Sequence, residues 1–145
     1  MVRYSPWRVL AAQNHITVRI SPLPAGVSGA CRVLADGAVL ILLASSLDAR
    51  ERVAVLAHEL LHIERGIGRG ESCPEWRAVE AREEEIIDRQ VAGRLLPTEE
   101  LAAWIRARGP DDEAVTTRVV ADEWFVSEPV ARRALEAVAR QVAKA

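Results

Sequence analysis

A histidine, a glutamate and a second histidine lie close together in residues 56–66, which read LAHELLHIERG. On a helix, residues four positions apart point nearly the same way, so His58 and His62 can direct two imidazole nitrogens at one metal ion. Glu59 lies beside them, where its carboxylate is suited to deprotonate a metal-bound water molecule. A catalytic zinc ion usually has three protein ligands and leaves a fourth position to water. The pattern therefore predicts a hydrolytic metal centre with a third ligand from elsewhere in the chain.

The third ligand is expected among downstream acidic residues, because no histidine follows His62. The candidates share one predicted helix and are Glu80, Glu83, Glu84, Glu85 and Asp88. The apolar face of that helix is formed by Ile87, Val91 and Leu95. Glu84 continues this face at a spacing of three from Ile87, and a carboxylate directed into a core normally needs a cation. Glu84 is therefore the favoured ligand, and Asp88 one turn on could accept the outer N–H of a ligating histidine.

Capping signals define the two helices that carry these residues. Asp48 and Glu51 have the spacing of a capping box, so a helix begins just before the two histidines and should end near Gly66. Glycines and a proline then indicate a loop. Pro74 suits the first turn of a second, long helix, which Pro97 stops. Two consecutive helices would thus supply all the candidate ligands.

Shorter elements precede this helix pair. They are a helix over residues 5–13 and strands over residues 15–20, 30–34 and 39–43. Asp36-Gly37, between the last two strands, is a strong hairpin signal. We therefore predict an α+β fold, in which a small N-terminal antiparallel β-sheet packs with the helices of the metal centre.

Three further helices are predicted after Pro97. Thr98 is a candidate cap for the first of them, and residues 109–112 (GPDD) form a break. The other two cover roughly residues 113–123 and 129–143, with Ser127 as the expected cap between them.

Composition excludes several classes of protein. The 145 residues are 50% hydrophobic and 28% charged, with 19 basic against 21 acidic side chains, which is typical of one globular unit without a strong nucleic-acid field. The longest apolar run, residues 38–45, is too short to cross a bilayer, and the N-terminus is too polar for a signal peptide. We therefore expect no membrane partner and a cytoplasmic location.

The arrangement resembles the ImmA/IrrE family of gluzincin-type metallopeptidases. The similar motifs are His58-Glu-x-x-His62, then Glu84-x-x-x-Asp88, then the ending Val-Ala-Gly-Arg-Leu-Leu-Pro97. Residues 119–135 are similar to the helix-turn-helix-like segment that follows this ending in the family. The resemblance implies a minimal zincin-like peptidase domain over residues 1–108, with a helix-turn-helix-like helical tail over residues 109–145 packed on it as one compact unit.

The resemblance also implies a role for each site residue. His58, His62 and Glu84 would be the ligands of one Zn²⁺ ion, although Mn²⁺ or another divalent ion would suit the same residues. Glu59 would be the general base, and Asp88 the outer partner of a ligand. The implied substrate is a protein, a helix-turn-helix transcriptional repressor cleaved at a specific bond.

Departures from the family pattern keep alternatives open. Ile87, Asp88 and Val91 stand where alanine, asparagine and phenylalanine are usual, and the ending is one residue shorter, so Glu85 is an alternative ligand. The sequence also leaves open which side chain donates a hydrogen bond to the oxyanion of the reaction. The candidates are Tyr4, Arg69 and Arg77.

A second class of function is a catalytically silent zinc-binding or DNA- or protein-interaction module. Residues 113–145 carry five basic and five acidic side chains, and this neutral balance does not favour DNA binding. Glu59 favours the enzyme, because a purely structural metal site needs no base.

Overall fold

A computed structural model describes residues 3–66 and 74–145, and of residues 74–80 only the backbone. The strands are β1 (Ile16–Ser21), β2 (Gly29–Val33) and β3 (Val39–Ala44). The helices are α1 (Pro6–Ala11), α2 (Ala49–Arg65), α3 (Pro74–Leu95), α4 (Thr98–Ala107), α5 (Thr117–Trp124) and α6 (Glu128–Lys144). This is the α+β fold that the sequence predicts, with the two histidines on one helix and Glu84 on the next.

The sheet is mixed, so the prediction of an antiparallel sheet is wrong for one of its two strand pairs. The order is β1-β3-β2: β2 and β3 form the predicted antiparallel hairpin, whereas β1 pairs with β3 in parallel. β3 takes the central position because it is the most apolar strand, with Val39, Ile41 and Leu43 all buried. Gly37 supplies the positive φ of 85° that the hairpin turn requires.

Helix α2 begins and ends where the sequence predicts. Asp48 accepts a hydrogen bond from the backbone N–H of Glu51, whose carboxylate accepts one from the N–H of Asp48, and Gly66 ends the helix at a φ of 74°. Leu56 and Leu60 pack on the sheet, against Ile41 and its neighbours. The position of the His-Glu-x-x-His segment is therefore fixed by burial against β3 as well as by its caps.

A second face of α2 packs on α3. Ala57 and Leu61 lie against Ile87 and Val91, and all four are buried. These contacts confirm that the apolar face predicted for α3 is directed into the core. They hold the histidine-bearing helix and the glutamate-bearing helix side by side.

The tail helices pack on α3 and α4. One apolar cluster joins Leu96, Leu101, Val120, Trp124 and Ala131, so residues from both sides of the predicted boundary at residue 108 share a core. The division itself stays a prediction. Among the helices that the structure describes, none has the length and apolarity needed to cross a membrane.

Two helix starts differ from the sequence-based expectation. Pro97, and not Thr98, is the N-cap of α4, so Thr98 is its first helical residue. Helix α5 begins at Thr117, because the hydroxyl of Thr116 accepts a hydrogen bond from the N–H of Val119 and caps the helix there. Ser127 occupies the N-cap position of α6 as predicted, without a side-chain hydrogen bond.

Candidate metal centre

Three electron-pair donors from α2 and α3 converge on one point. The Nε2 atoms of His58 and His62 lie 3.0 Å apart, and the two Glu84 carboxylate oxygens lie 2.8 Å from the first and 2.7 Å from the second. These three residues are the group in the described part of the chain that could hold a metal ion. Spacing of four along α2 and the packing of α2 on α3 together produce this convergence.

The hydrogen bonds around the group are compatible with a divalent cation. Nδ1 of His58 lies 3.0 Å from an Asp88 carboxylate oxygen, so the ring donates its Nδ1 hydrogen there and the neutral ring keeps a lone pair on Nε2. That lone pair faces the Nε2 atom of His62 and the Glu84 carboxylate. Two imidazole nitrogens and one carboxylate form a donor set that zinc commonly takes in hydrolytic sites. The residues present therefore fit a bound divalent ion.

The charges around His58 also favour a cation. Burial lowers the pKa of His58, but the hydrogen bond to Asp88 and the negative charges of Glu84, Glu59 and Asp88 outweigh it and raise the pKa above its usual value. The same hydrogen bond lowers the pKa of Asp88 and keeps its carboxyl ionised. A potential that favours a proton on His58 would equally favour a metal ion between the ligands.

Glu85, the alternative ligand, is directed away from the histidines. Its carboxylate lies 3.1 Å from Nε of Arg89 and 3.0 Å from Nη1 of Arg133. The hydrogen bond from Arg133, together with the charge of that arginine, lowers the pKa of Glu85. Of the two neighbouring glutamates, Glu84 is thus the one that the structure brings to His58 and His62. The side chain of Glu80 lies outside the described residues.

Glu59 is the one buried charged residue in the described part of the chain, with 8% of its surface exposed. Burial raises the pKa of its carboxyl to about 7, the charge of His58 acting in the opposite direction and that of Glu84 in the same one. A carboxyl with a pKa near neutrality can both accept and release a proton at physiological pH. Glu59 can therefore act as a general acid or base beside the candidate metal ligands His58, His62 and Glu84, which we call the metal group.

Gly29, at the start of β2, makes room for Glu59. A Cβ atom at this position would lie 2.5 Å from Cγ1 of Val55 and 3.2 Å from a carboxylate oxygen of Glu59. Any side chain here would displace one of them. Gly29 is not among the residues named from the sequence: it directly precedes the strand predicted over residues 30–34, and no motif singles it out.

His58, His62 and Glu84 line an open cleft of about 610 Å³. Residues 26–29, before and at the start of β2, line it as well. The tail adds Ser127, Pro129, Val130 and Arg133. The N-terminal part of α6 is therefore a wall of the candidate site.

Other residues named from the sequence lie elsewhere. Tyr4 packs against the cluster between α2 and α3, beside Arg94, and does not line the cleft. The third histidine of the sequence, His15, lies just before β1 and is exposed. Arg69 and the side chain of Arg77 lie outside the described residues.

Arg133 lines the cleft, although no motif in the sequence marks it as a site residue. It contacts Glu85 and Asp88, which are 48 and 45 positions away in the chain. No periodicity or motif links residues so far apart, so nothing in the sequence singles out Arg133 from its neighbour Arg132.

A family comparison agrees with this geometry. The model of the Peptidase M78 family, described as the IrrE N-terminal-like domain, matches residues 11–136. The match confirms the resemblance noted from the motifs and covers every residue of the candidate centre. No curated protein matches the chain significantly.

The close approach at Gly29 leads to a stability prediction. Gly29→Ala should destabilise the fold by about 1–3 kcal/mol, because Val55 or Glu59 must move to admit the methyl group. Gly93→Ala is the matched control: Gly93 lies in α3 with open space around it, so alanine should stabilise the protein by up to about 1 kcal/mol. Urea denaturation of both variants measures these changes. Equal shifts in the same direction would contradict the steric argument.

Proposed function

The chain belongs to the Peptidase M78 family of IrrE N-terminal-like domains, and from this we propose that it is a zinc-dependent endopeptidase that cleaves a specific protein. The family match supports a metallopeptidase, and hence a protein substrate. In our proposal His58, His62 and Glu84 bind the metal, Glu59 is the general base and Asp88 orients His58. The substrate is a helix-turn-helix transcriptional repressor, as the resemblance to the ImmA/IrrE family implies.

The observation that carries the proposal is the convergence of three ligand atoms beside a buried glutamate. A His-Glu-x-x-His stripe on a solvated helix would leave both histidines and the glutamate exposed, whereas here His58 and His62 are half-buried and Glu59 is buried. Burying an ionisable carboxyl without an ion pair costs free energy. Such a cost is typical of groups that take part in chemistry.

The proposed roles follow from where each side chain lies. A divalent cation held by the three ligands would polarise the scissile carbonyl and lower the pKa of the attacking water molecule. Glu59 accepts the proton of that water and then passes it to the nitrogen of the leaving amine. Asp88 fixes the orientation of the His58 ring through Nδ1.

The substrate peptide, in this proposal, adds as a strand to β2. In the described sheet β2 is an edge strand that runs beside the cleft. Ser28 and Leu34 hydrogen-bond to the β3 side, so the alternation of an antiparallel ladder turns the N–H and C=O groups of Gly29, Cys31 and Val33 toward the free edge. A peptide paired with these groups would lie across Glu59 and the metal group.

Metal content tests the ligand assignment. Wild-type protein should contain about one zinc ion per chain by plasma mass spectrometry, and Glu84→Gln should lose it, because a neutral amide is a far weaker ligand than a carboxylate. Glu85→Gln is the matched control and should keep the metal. Loss of zinc from Glu85→Gln but not from Glu84→Gln would assign the alternative ligand. A wild type without metal, even after zinc is supplied, would contradict the proposal.

Cleavage tests the base. Helix-turn-helix repressors from the same genome are incubated one at a time with zinc-loaded protein, and the fragments are identified by mass spectrometry. Glu59→Gln should keep its zinc but cleave about 100- to 10,000-fold more slowly, since the amide cannot take up a proton. A Glu59→Gln protein that cleaves at the wild-type rate would exclude Glu59 as the base.

Substitutions at the free edge of β2 test whether the substrate docks there as an added strand. Cys31→Pro removes an outward N–H without removing a hydrogen bond to β3, so the KM for the cleaved repressor should rise about tenfold while the zinc content is unchanged. Cys31→Ala removes the same thiol but retains the amide, and should leave KM near that of the wild type. Equal KM values for the proline and alanine variants would count against strand addition.

A further inference from the structure

Arg133 connects the tail to the candidate metal centre. From α6, its Nη1 atom lies 3.0 Å from a Glu85 carboxylate oxygen and its Nη2 atom lies 3.5 Å from Oδ2 of Asp88. Asp88 in turn accepts the hydrogen bond of His58 through its other oxygen, Oδ1. A continuous series of polar contacts therefore runs from α6 through α3 to a proposed ligand on α2.

Arg133 brings a positive charge to a cleft whose other charged lining residues are acidic. Four acidic residues line it, namely Glu51, Glu59, Glu84 and Asp88. Among the described lining residues, Arg133 is the only lysine or arginine. Both of its terminal nitrogens contact carboxylates of α3, so its guanidinium bridges two acidic side chains of that helix.

We infer that Arg133 is a positioning residue that holds Asp88 in the orientation in which it binds His58, and thereby raises the affinity of the centre for its metal ion. The inference rests on the proposed function, since it assigns His58 as a ligand. It adds a residue from the tail to a site otherwise built from α2 and α3.

The geometry of Asp88 explains why such support matters. The Asp88 side chain is 39% exposed, so without a partner on Oδ2 it could rotate toward water and release Nδ1 of His58. Arg133 opposes this rotation because its planar guanidinium spans Asp88 and Glu85 together. A single point charge would not fix the direction of the carboxylate in the same way.

Apolar packing holds the part of α6 that carries Arg133 in place. Val130, Ala131 and Ala134 flank Arg133 on the helix and are buried in the cluster shared with α3, α4 and α5. The backbone of Arg133 is thus held by apolar packing while its head group reaches the site. The packing of α6 in the core therefore helps to orient His58, through Arg133 and Asp88.

The experiment measures zinc affinity by competition with a chromophoric chelator, on the full chain. Arg133→Met keeps the length of the side chain but removes its charge and donors, and we expect it to bind zinc about tenfold more weakly than the wild type. Arg132→Met is the matched control: Arg132 is the exposed neighbour, without an ion pair in the described part of the chain, and its loss should leave the affinity unchanged.

A double-mutant cycle distinguishes positioning from a general structural effect. If Arg133 acts through Asp88, then Arg133→Met should weaken zinc binding less than about twofold when Asp88 is already alanine. The same tenfold loss in the Asp88→Ala background would overturn the inference. So would wild-type affinity in Arg133→Met, and in that case a raised KM for the repressor would indicate that Arg133 contacts substrate instead.

Arg133→Lys is a second variant that tests the inference even if Arg133→Met fails to fold. Lysine keeps the charge but cannot span two carboxylates in a fixed plane, so zinc affinity should fall about threefold. Wild-type affinity in a folded Arg133→Lys protein would contradict the geometric argument. Failure of the proposed function gives a different result: without a metal site the wild type itself would bind no zinc, and without peptidase activity it would bind zinc but cleave no repressor.

Discussion

The structure depends on the packing of α2 against α3. Three parallel stripes run along α2: one covers the sheet, the next, formed by Ala57 and Leu61, packs on α3, and the third carries His58 and His62. Because the histidine stripe adjoins the stripe in contact with α3, it lies directly beside Glu84. The imidazole lone pairs and the negative charge of Glu84 repel one another at such short distances, and the apolar packing on either side holds them together against that repulsion. A cation between them would relieve that repulsion.

The tail also helps to shape the candidate metal centre, through apolar packing that lies away from the ligands. Its helices share an apolar cluster with α3 and α4, and the N-terminal part of α6 becomes a wall of the cleft. Val130 and Ala131 face the core while Arg133 reaches Asp88. Helix α6 thus has one face buried in the core, while its N-terminal part lines the cleft.

The sequence predicted the elements around the site more accurately than those away from it. The limits of α2 followed from Asp48 and Gly66, and those of α3 from Pro74 and Pro97, because caps and prolines act on the backbone within one helical turn. Helix α5 begins about four residues later than predicted, because the polar break at residues 109–112 suggests an earlier start than the cap at Thr116 allows. The hairpin followed from its turn, but nothing local fixed the direction of β1 relative to β3.

What the sequence by itself determined was which residues share a face of a helix: His58 with His62, and Glu84 with the apolar face of α3. Periodicity is a property of the backbone and needs no partner. Tertiary structure decided the rest, namely the parallel pairing of β1, the choice of Glu84 over Glu85 beside the histidines, and the contact of Arg133 with Asp88. These depend on how whole elements pack, and packing is set by the summed burial of residues far apart in the chain, which no local pattern records.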